Sequence, residues 1–224
     1  MATRAYFTPA LFAFLADLKA HNTREWFAKN KDRYEVSVRD PMLRFVADLG
    51  TPLRRVSPHV TADARPVGGS MFRIYRDIRF SRDKSPYKTH VGAHFSHERG
   101  GRDAHTPGFY LHLEPGRSAG GGGLWHPDGP SLAKIRTRIM ARPADWSALR
   151  RRLEVEGEAL KRVPAGYDAG HPHAADLKLK DFYVMESFSN REVCGRDFME
   201  RFVTVCRQTN PLMQFLTGAL GLPW

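Results

Sequence analysis

Leu11, Phe14, Leu15 and Leu18 recur three and four positions apart, a spacing that lays one apolar stripe along a helix. Thr8-Pro9 ahead of it supplies a capping side chain and a proline at the first helical position, where a missing N–H does no harm. His21-Asn22-Thr23 breaks the pattern, and Thr23 is placed to cap a second helical stretch, "REWFAKNKDRYEVSV", with Trp26, Phe27 and Tyr34 as its apolar anchors. Asp40-Pro41 restarts helical spacing, with Leu43, Val46, Leu49 and Leu53 on one face. Pro58, Pro66, Gly68 and Gly69 then predict a loop over 57–70.

From Met71 the period falls to two. "MFRIYRDIRF", "HVGAHF" and "GFYLHLEP" alternate as strands do, and "GGGLWHP" adds a short one, while "SAGGGG" reads as a turn or a close backbone approach. The links between these stretches are too short for crossover helices, so the pairing is antiparallel. "SLAKIRTRIM" and "DWSALRRRLEVEGEALKRV" return to helical spacing, "LKLKDFYVMESF" predicts a last strand, and Ser189 with Glu192 forms a capping box ahead of a C-terminal helical region. The expected fold is α+β: an antiparallel sheet in the middle of the chain, centred on 71–114 and packed by N- and C-terminal helices. With no internal repeat and no strong linker, one domain over 1–224 is expected.

Composition narrows the class. An apolar fraction of 42% with 11% aromatics belongs to a globular chain. The apolar runs are only a few residues long, so no membrane partner is expected. Asp17 and Lys19 interrupt the N-terminal apolar patch and no small-residue cleavage site follows, so a mature helix is expected there and not a signal peptide. Cys194 and Cys206 are too few for a disulfide framework or a zinc site, which makes a cytoplasmic location the expectation. Lys plus Arg exceed Asp plus Glu by 35 − 24 = 11. That excess favours anionic partners, although arginines spread along the chain also suit a solvated basic surface.

The charge matters most in "FRIYRDIRFSRDKSPYKTH". Read as a strand over 72–80, it places Phe72, Ile74, Arg76, Ile78 and Phe80 on the core face, and Arg73, Tyr75, Asp77 and Arg79 on the other. A buried, unpaired guanidinium costs several kcal/mol, so Arg76 is expected to reach solvent at a sheet end or, if enclosed, to meet Asp83, Glu98, Glu114 or a bound anion. Ser85-Pro86 turns the chain back and delivers Lys84, Tyr87, Lys88 and His90 to the same neighbourhood. Cations gathered at one hairpin repel one another unless an anion sits among them. Arginine forks and a lysine point charge suit carboxylate or phosphate. An ion-pair network through Asp77, Asp83, Glu98 and Glu114 is the structural alternative.

These stretches, together with "NTREWFAKNKDRYE", "YLHLEPG", the glycine run before "LWHP", and "LKRVPAGYDAGHP" followed by "LKLK", resemble the family catalogued as domain of unknown function 2461. The resemblance runs in order over nearly the whole chain. Its signature falls on Arg73, Arg76, Asp77, Arg79, Phe80, Lys84 and Tyr87. It implies a fold and a functional surface, and no mechanism. Gly170 stands where the family carries a further acid, which weakens any metal argument at that segment.

Other constellations are less specific. His90 and His94 share one strand face, as do Tyr110, His112 and Glu114. Two histidines and a carboxylate could hold a divalent metal only if they converge, and alternation fixes the side alone. Hydrogen-bonded histidines are the preferred reading, and no metal is expected. Asp168, His171 and His173 in "GYDAGHPH" are equally unspecific. There is no phosphate-loop, dinucleotide, nucleophile-elbow or H-E-x-x-H motif, so no cofactor is assigned. Three functions stay open. The preferred one is a site for a phosphorylated or carboxylated small molecule held by Arg73, Arg76, Arg79, Lys84, Lys88 and His112, with Asp77, Tyr87 or His90 for acid–base chemistry if it is an enzyme. The others are a nucleic-acid-binding module interleaving Tyr75 and Tyr87, with weak non-specific binding expected, and a structural or scaffolding protein with an ion-paired hairpin. The ligand, the reaction and the oligomeric state are open at this stage.

Overall fold

The first apolar stripe is realised in the computed structural model, which describes residues 5–100 and 106–224. Helix α1 (Pro9–Ala20) follows Thr8 and buries Leu11, Phe12, Phe14, Leu15 and Leu18. Thr23 caps α2 (Arg24–Lys29), its side chain accepting from the Trp26 N–H at 3.2 Å. Helix α3 (Lys31–Tyr34), a π-helical turn (Glu35–Arg39) and α4 (Asp40–Arg54) then run on one from another. The restart expected at Asp40-Pro41 is thus a widening and not a break. Pro41 has no N–H to donate and crowds the carbonyl four residues back, and a wider turn just ahead of it accommodates both. Met42, Phe45, Val46, Leu49 and Leu53 of α4 are buried.

The sheet is antiparallel, with strands β1 (Val91–Ser96), β2 (Gly108–Leu113), β3 (Ser118–Leu124) and β4 (Phe182–Phe188) side by side in chain order. The fold is α+β, as the change of period indicates. "SAGGGG" is corrected by the structure: it forms the body of β3 and not a turn. The turn before it is Glu114-Pro115-Gly116-Arg117, closed by Arg117 N–H to Glu114 O at 3.1 Å, with Gly116 at φ 71° where a type II turn needs a positive value. Gly120 and Gly122 face the core. A Cβ on Gly120 would lie 2.8 Å from the Phe202 ring, so the missing side chain lets α9 (Phe198–Ala219) approach the strand closely. Phe202 and Cys206 of α9 pack with the N-terminal helices and β1–β2, while Leu212, Phe215 and Leu216 pack with α5 (Gly129–Ala141) and α6 (Pro143–Arg150). Among the described residues, no helix is long and apolar enough to cross a membrane.

One expected element is cut short and another is absent. The helix predicted through "LRRRLEVEGEALKRV" ends at Arg150. Beyond it the chain pairs with the β4 edge: Glu156 N–H donates to Tyr183 O at 2.8 Å and Tyr183 N–H to Glu156 O at 3.1 Å. An open strand edge offers those bonds, and Gly157 makes helical continuation costly. The strand predicted over 72–80 is also absent. Met71 bridges Ala93, and Phe72 N–H donates to Gly92 O at 2.9 Å, which lays this segment along β1. Only Tyr75 and Tyr87 then bridge. Asp77 and Asp83 accept from backbone N–H groups two residues on, at Arg79 (3.2 Å) and Ser85 (2.9 Å), and these local turns displace sheet pairing. Phe80 is consequently 96% exposed, and Arg76 is not enclosed by a core face. The strands of the sheet therefore begin at Val91 and not at 71, where a single bridge touches β1, and the late strand β4 lies at the edge.

The β3 glycines set a stability test. A Cβ on Gly121 would fall 1.8 Å from Val184 O, a backbone atom of the paired strand. Gly121→Ala is expected to cost about 3 kcal/mol, at the upper end for overpacking. Gly129→Ala, at a helix start with open space around it, should be neutral or stabilising. Urea unfolding of both variants checks this, and a neutral Gly121→Ala would contradict it.

Candidate functional site

Alternation and register give the sheet two faces. Helix α9 covers one of them. The other carries His94, Tyr110, His112, Tyr183 and Met185, with Gly121 and Gly123 between them. A cleft of about 420 Å³ opens on this second face. Phe72, His94 and Tyr110 line its β1–β2 side, and Trp125, Tyr183 and Met185 its β3–β4 side. Side chains at Gly121 and Gly123 would meet Met185 and Tyr183, so the glycine run that brings α9 close also makes room on the opposite side. A second cavity of about 530 Å³, lined in part by Arg65, Gly69 and Arg73, shares Phe72 and His94 with the first.

The segment 72–90 divides into two parts. In its outer loop the charges are spent internally. Asp77 accepts from Arg79 Nε at 3.0 Å and Nη2 at 2.6 Å, which holds its carboxyl down at about 2. Arg76 pairs with Asp83 and donates to Ser85 O at 3.2 Å. Lys84 Nζ donates to Ile78 O at 3.0 Å. Glu98 is engaged with His59 Nδ1 at 2.7 Å. Of the cations expected to converge on one anion (Arg73, Arg76, Arg79, Lys84 and Lys88), Arg76, Arg79 and Lys84 already have partners in the loop. Tyr87 turns into the core and stacks on Phe27 at 4.2 Å, where burial raises its hydroxyl pKa.

The inner part reaches the open sheet face. Lys88 N–H donates to Ile74 O at 2.8 Å, and this bond sets the lysine with its ammonium 5.2 Å from the centre of the Phe72 ring. Burial and the Arg73 charge lower the Lys88 pKa. Lys88 has no carboxylate partner among the described residues, whereas the Arg73 charge also reaches Asp77 and helps to lower its carboxyl. The His90 and His112 rings lie 4.4 Å apart. His112 is gripped at both nitrogens, by the Tyr110 hydroxyl at Nδ1 (3.3 Å) and by Glu114 Oε2 at Nε2 (3.2 Å). The structure thus sets Lys88 beside Arg73 on one side and His90 on the other, with His90 against His112 and His112 on Glu114. No group of three or more His, Cys, Asp or Glu residues is placed to hold a metal ion among the described residues.

The second histidine segment is bound up locally. Asp168 accepts from Gly170 N–H at 2.8 Å, and His171 Nδ1 from His173 N–H at 3.1 Å. Ser147, His173 and Asp176 lie in a row, but Asp176 already accepts from Trp146 Nε1 at 2.8 Å, and His173 Nε2 also faces Pro143 O at 3.2 Å. That row ties α7 (Ala174–Leu177) to α6, and the Ser189–Glu192 capping box opens α8 (Asn190–Val193). Sequence reasoning missed Trp125, Tyr183 and Met185 as cleft residues. Tyr183 and Met185 alternate within the predicted last strand, and only the register with β3 brings them opposite Tyr110.

His90 carries a pH signature. Burial first, then His112 and Lys88, push its pKa from 6.5 down to about 4, against an upward pull from Glu114. The folded state therefore favours the neutral ring, while the unfolded chain takes up a proton from about pH 6.5 downward. The stability tied to this group is complete above pH 6.5 and is lost as pH falls toward about 4. Burial lowers the His94 pKa too and adds to the loss. Urea midpoints across this window should fall less steeply in His90→Asn than in wild type. Parallel curves would show that His90 is not held neutral.

A model of a family described as conserved hypothetical protein (DUF2461) matches residues 10–215. No curated protein and no solved structure matches the chain.

Proposed function

The chain belongs to the DUF2461 family of conserved hypothetical proteins, and from the geometry of its open sheet face we propose that it binds an anionic small molecule, carboxylated or phosphorylated. The binding rim is where Lys88 and Arg73 flank Phe72. One observation carries this reading: Lys88 is partly withdrawn from water beside a second cation, with no carboxylate to balance it among the described residues. Such an arrangement costs stability, and a bound anion reverses the cost. The apolar, aromatic cleft next to it supplies contact area for the rest of the ligand, in the usual manner of small-molecule sites. Unbridged Cys194 and Cys206 suit a cytoplasmic setting.

Thermal unfolding with and without anions tests the reading. Phosphate or succinate at ten times its Kd should raise Tm by about 3–5 °C. Lys88→Met should abolish that response without lowering the stability of the ligand-free protein. Arg79→Ala and Arg76→Met, which touch only the loop pairs, should keep it. An equal response in wild type and Lys88→Met removes Lys88 from the site.

The net charge of +11 also attracts nucleic acid. Duplex DNA binding is expected to be weak and to drop about 10³-fold between 50 and 200 mM salt, as contacts to phosphates alone would give. Tight, length-dependent binding at physiological salt would favour a nucleic-acid module instead.

A further inference from the structure

We propose that Tyr110, His112 and Glu114 form a proton relay on the open sheet face, through which the Tyr110 hydroxyl removes a proton from the bound anion. The proposal rests on the anion-binding reading above and adds a reaction class to it.

The geometry begins with three residues two apart, which alternation puts on one side of the chain. A carboxylate can only accept, so the 3.2 Å contact between Glu114 and His112 Nε2 places the ring proton on Nε2. Nδ1 is then an acceptor, and the Tyr110 O–H, 3.3 Å away, donates to it. Hydroxyl, imidazole and carboxylate thus stand in the order in which a serine or cysteine nucleophile is activated elsewhere, with a phenol in the first place.

The surroundings support this order. Glu114 opens the turn into β3, where its backbone N–H donates to Ser118 Oγ at 3.2 Å. Gly92 gives the tyrosine room, since a Cβ there would lie 2.7 Å from the Tyr110 hydroxyl oxygen. The Tyr110 ring is also a wall of the 420 Å³ cleft. Burial holds the Tyr110 hydroxyl up at about 12, so at neutral pH it is a phenol that passes protons through and not a standing phenolate. His90, held neutral 4.4 Å from His112, adds no positive charge of its own beside that ring.

The step balances within these groups. The X–H bond of the substrate breaks and its electron pair stays on the substrate. The proton goes to the Tyr110 oxygen while the Tyr110 proton passes to His112 Nδ1, leaving an imidazolium against Glu114. The substrate class is an anion carrying an acidic C–H or O–H. Its own negative charge offsets Lys88 and Arg73, which otherwise oppose a further positive charge at the imidazole pair.

Electrophilic labelling of the full chain tests the relay. With an aryl sulfonyl fluoride, the tyrosine oxygen attacks sulfur, the S–F bond breaks, fluoride leaves, and the phenol proton goes to His112. The probes are 3-(fluorosulfonyl)benzoate and uncharged benzenesulfonyl fluoride, with sites and rates read by peptide mass spectrometry. Tyr110 should be labelled at least about tenfold faster than Tyr75, although Tyr75 is more exposed. His112→Gln retains an acceptor for the Tyr110 O–H but cannot take the proton, and it should cut Tyr110 labelling about tenfold with Tyr75 unchanged. Glu114→Gln should act in the same direction, and it decides the matter if His112→Gln does not fold. Tyr110 labelling no faster than Tyr75, or unchanged in the folded variants, overturns the relay. His112-dependent labelling by the neutral probe, with no Lys88-dependent advantage for the carboxylate probe, supports the relay and sinks the anion site. Anion stabilisation that depends on Lys88, with labelling indifferent to His112, does the reverse.

Discussion

The close approach of β3 to helix α9 is the constraint on which the rest of this structure depends. With no side chains at Gly120 and Gly122, the Phe202, Phe188 and Phe109 rings fill the space a Cβ would need, and the strand backbone rests against α9. Tight packing of this kind leaves little slack, so any side chain added there must displace a ring or a neighbouring strand. The glycines that alternate with them, Gly121 and Gly123, empty the opposite face and let Tyr110, Met185 and Tyr183 border a cleft. One run of small residues therefore settles both the core and the site.

Electrostatics then divides the cations into those that serve the loop and those that lie beside Phe72 at the rim of the cleft. Arg79 with Asp77 and Arg76 with Asp83 are exposed pairs, and such pairs contribute little to stability. Their effect is to shape a loop, through the same two aspartates that bond their own backbone. Lys88 is different in kind. It is carried by a segment that runs back to the sheet, and its neighbours are an aromatic ring and another cation. Charge left without a counterpart in a partly dry place is a stronger indication of a ligand than any number of balanced pairs on the surface.

Much of the architecture was legible along the chain because local rules sufficed. The α1 stripe, the Thr23 cap, the Ser189–Glu192 capping box, and the alternation of β1, β2 and β4 each depend on neighbours in sequence, and each is found in the fold. Failures came where two local rules competed. The alternation in 72–80 lost to the side chains of Asp77 and Asp83, which capture the backbone before a partner strand can. The helical spacing after Arg150 lost to the open edge of β4, and the glycine run, with no side chain to show a period, could not declare itself a strand.

For the site, the sequence by itself determined the inventory: which cations, histidines and acids crowd 72–114, and that Tyr110, His112 and Glu114 share a side. Only the tertiary structure decided which of them meet. Strand register set His112 opposite Gly92 and Tyr110 opposite His94, and the path of the chain from Ile74 to Lys88 chose one lysine for the sheet face and left the other in the loop. The physical reason is range. Alternation and capping act over a few residues of chain, whereas pairing a charge or orienting an imidazole requires groups that are distant in sequence to come within about 3 Å, and only the packed core fixes where they lie.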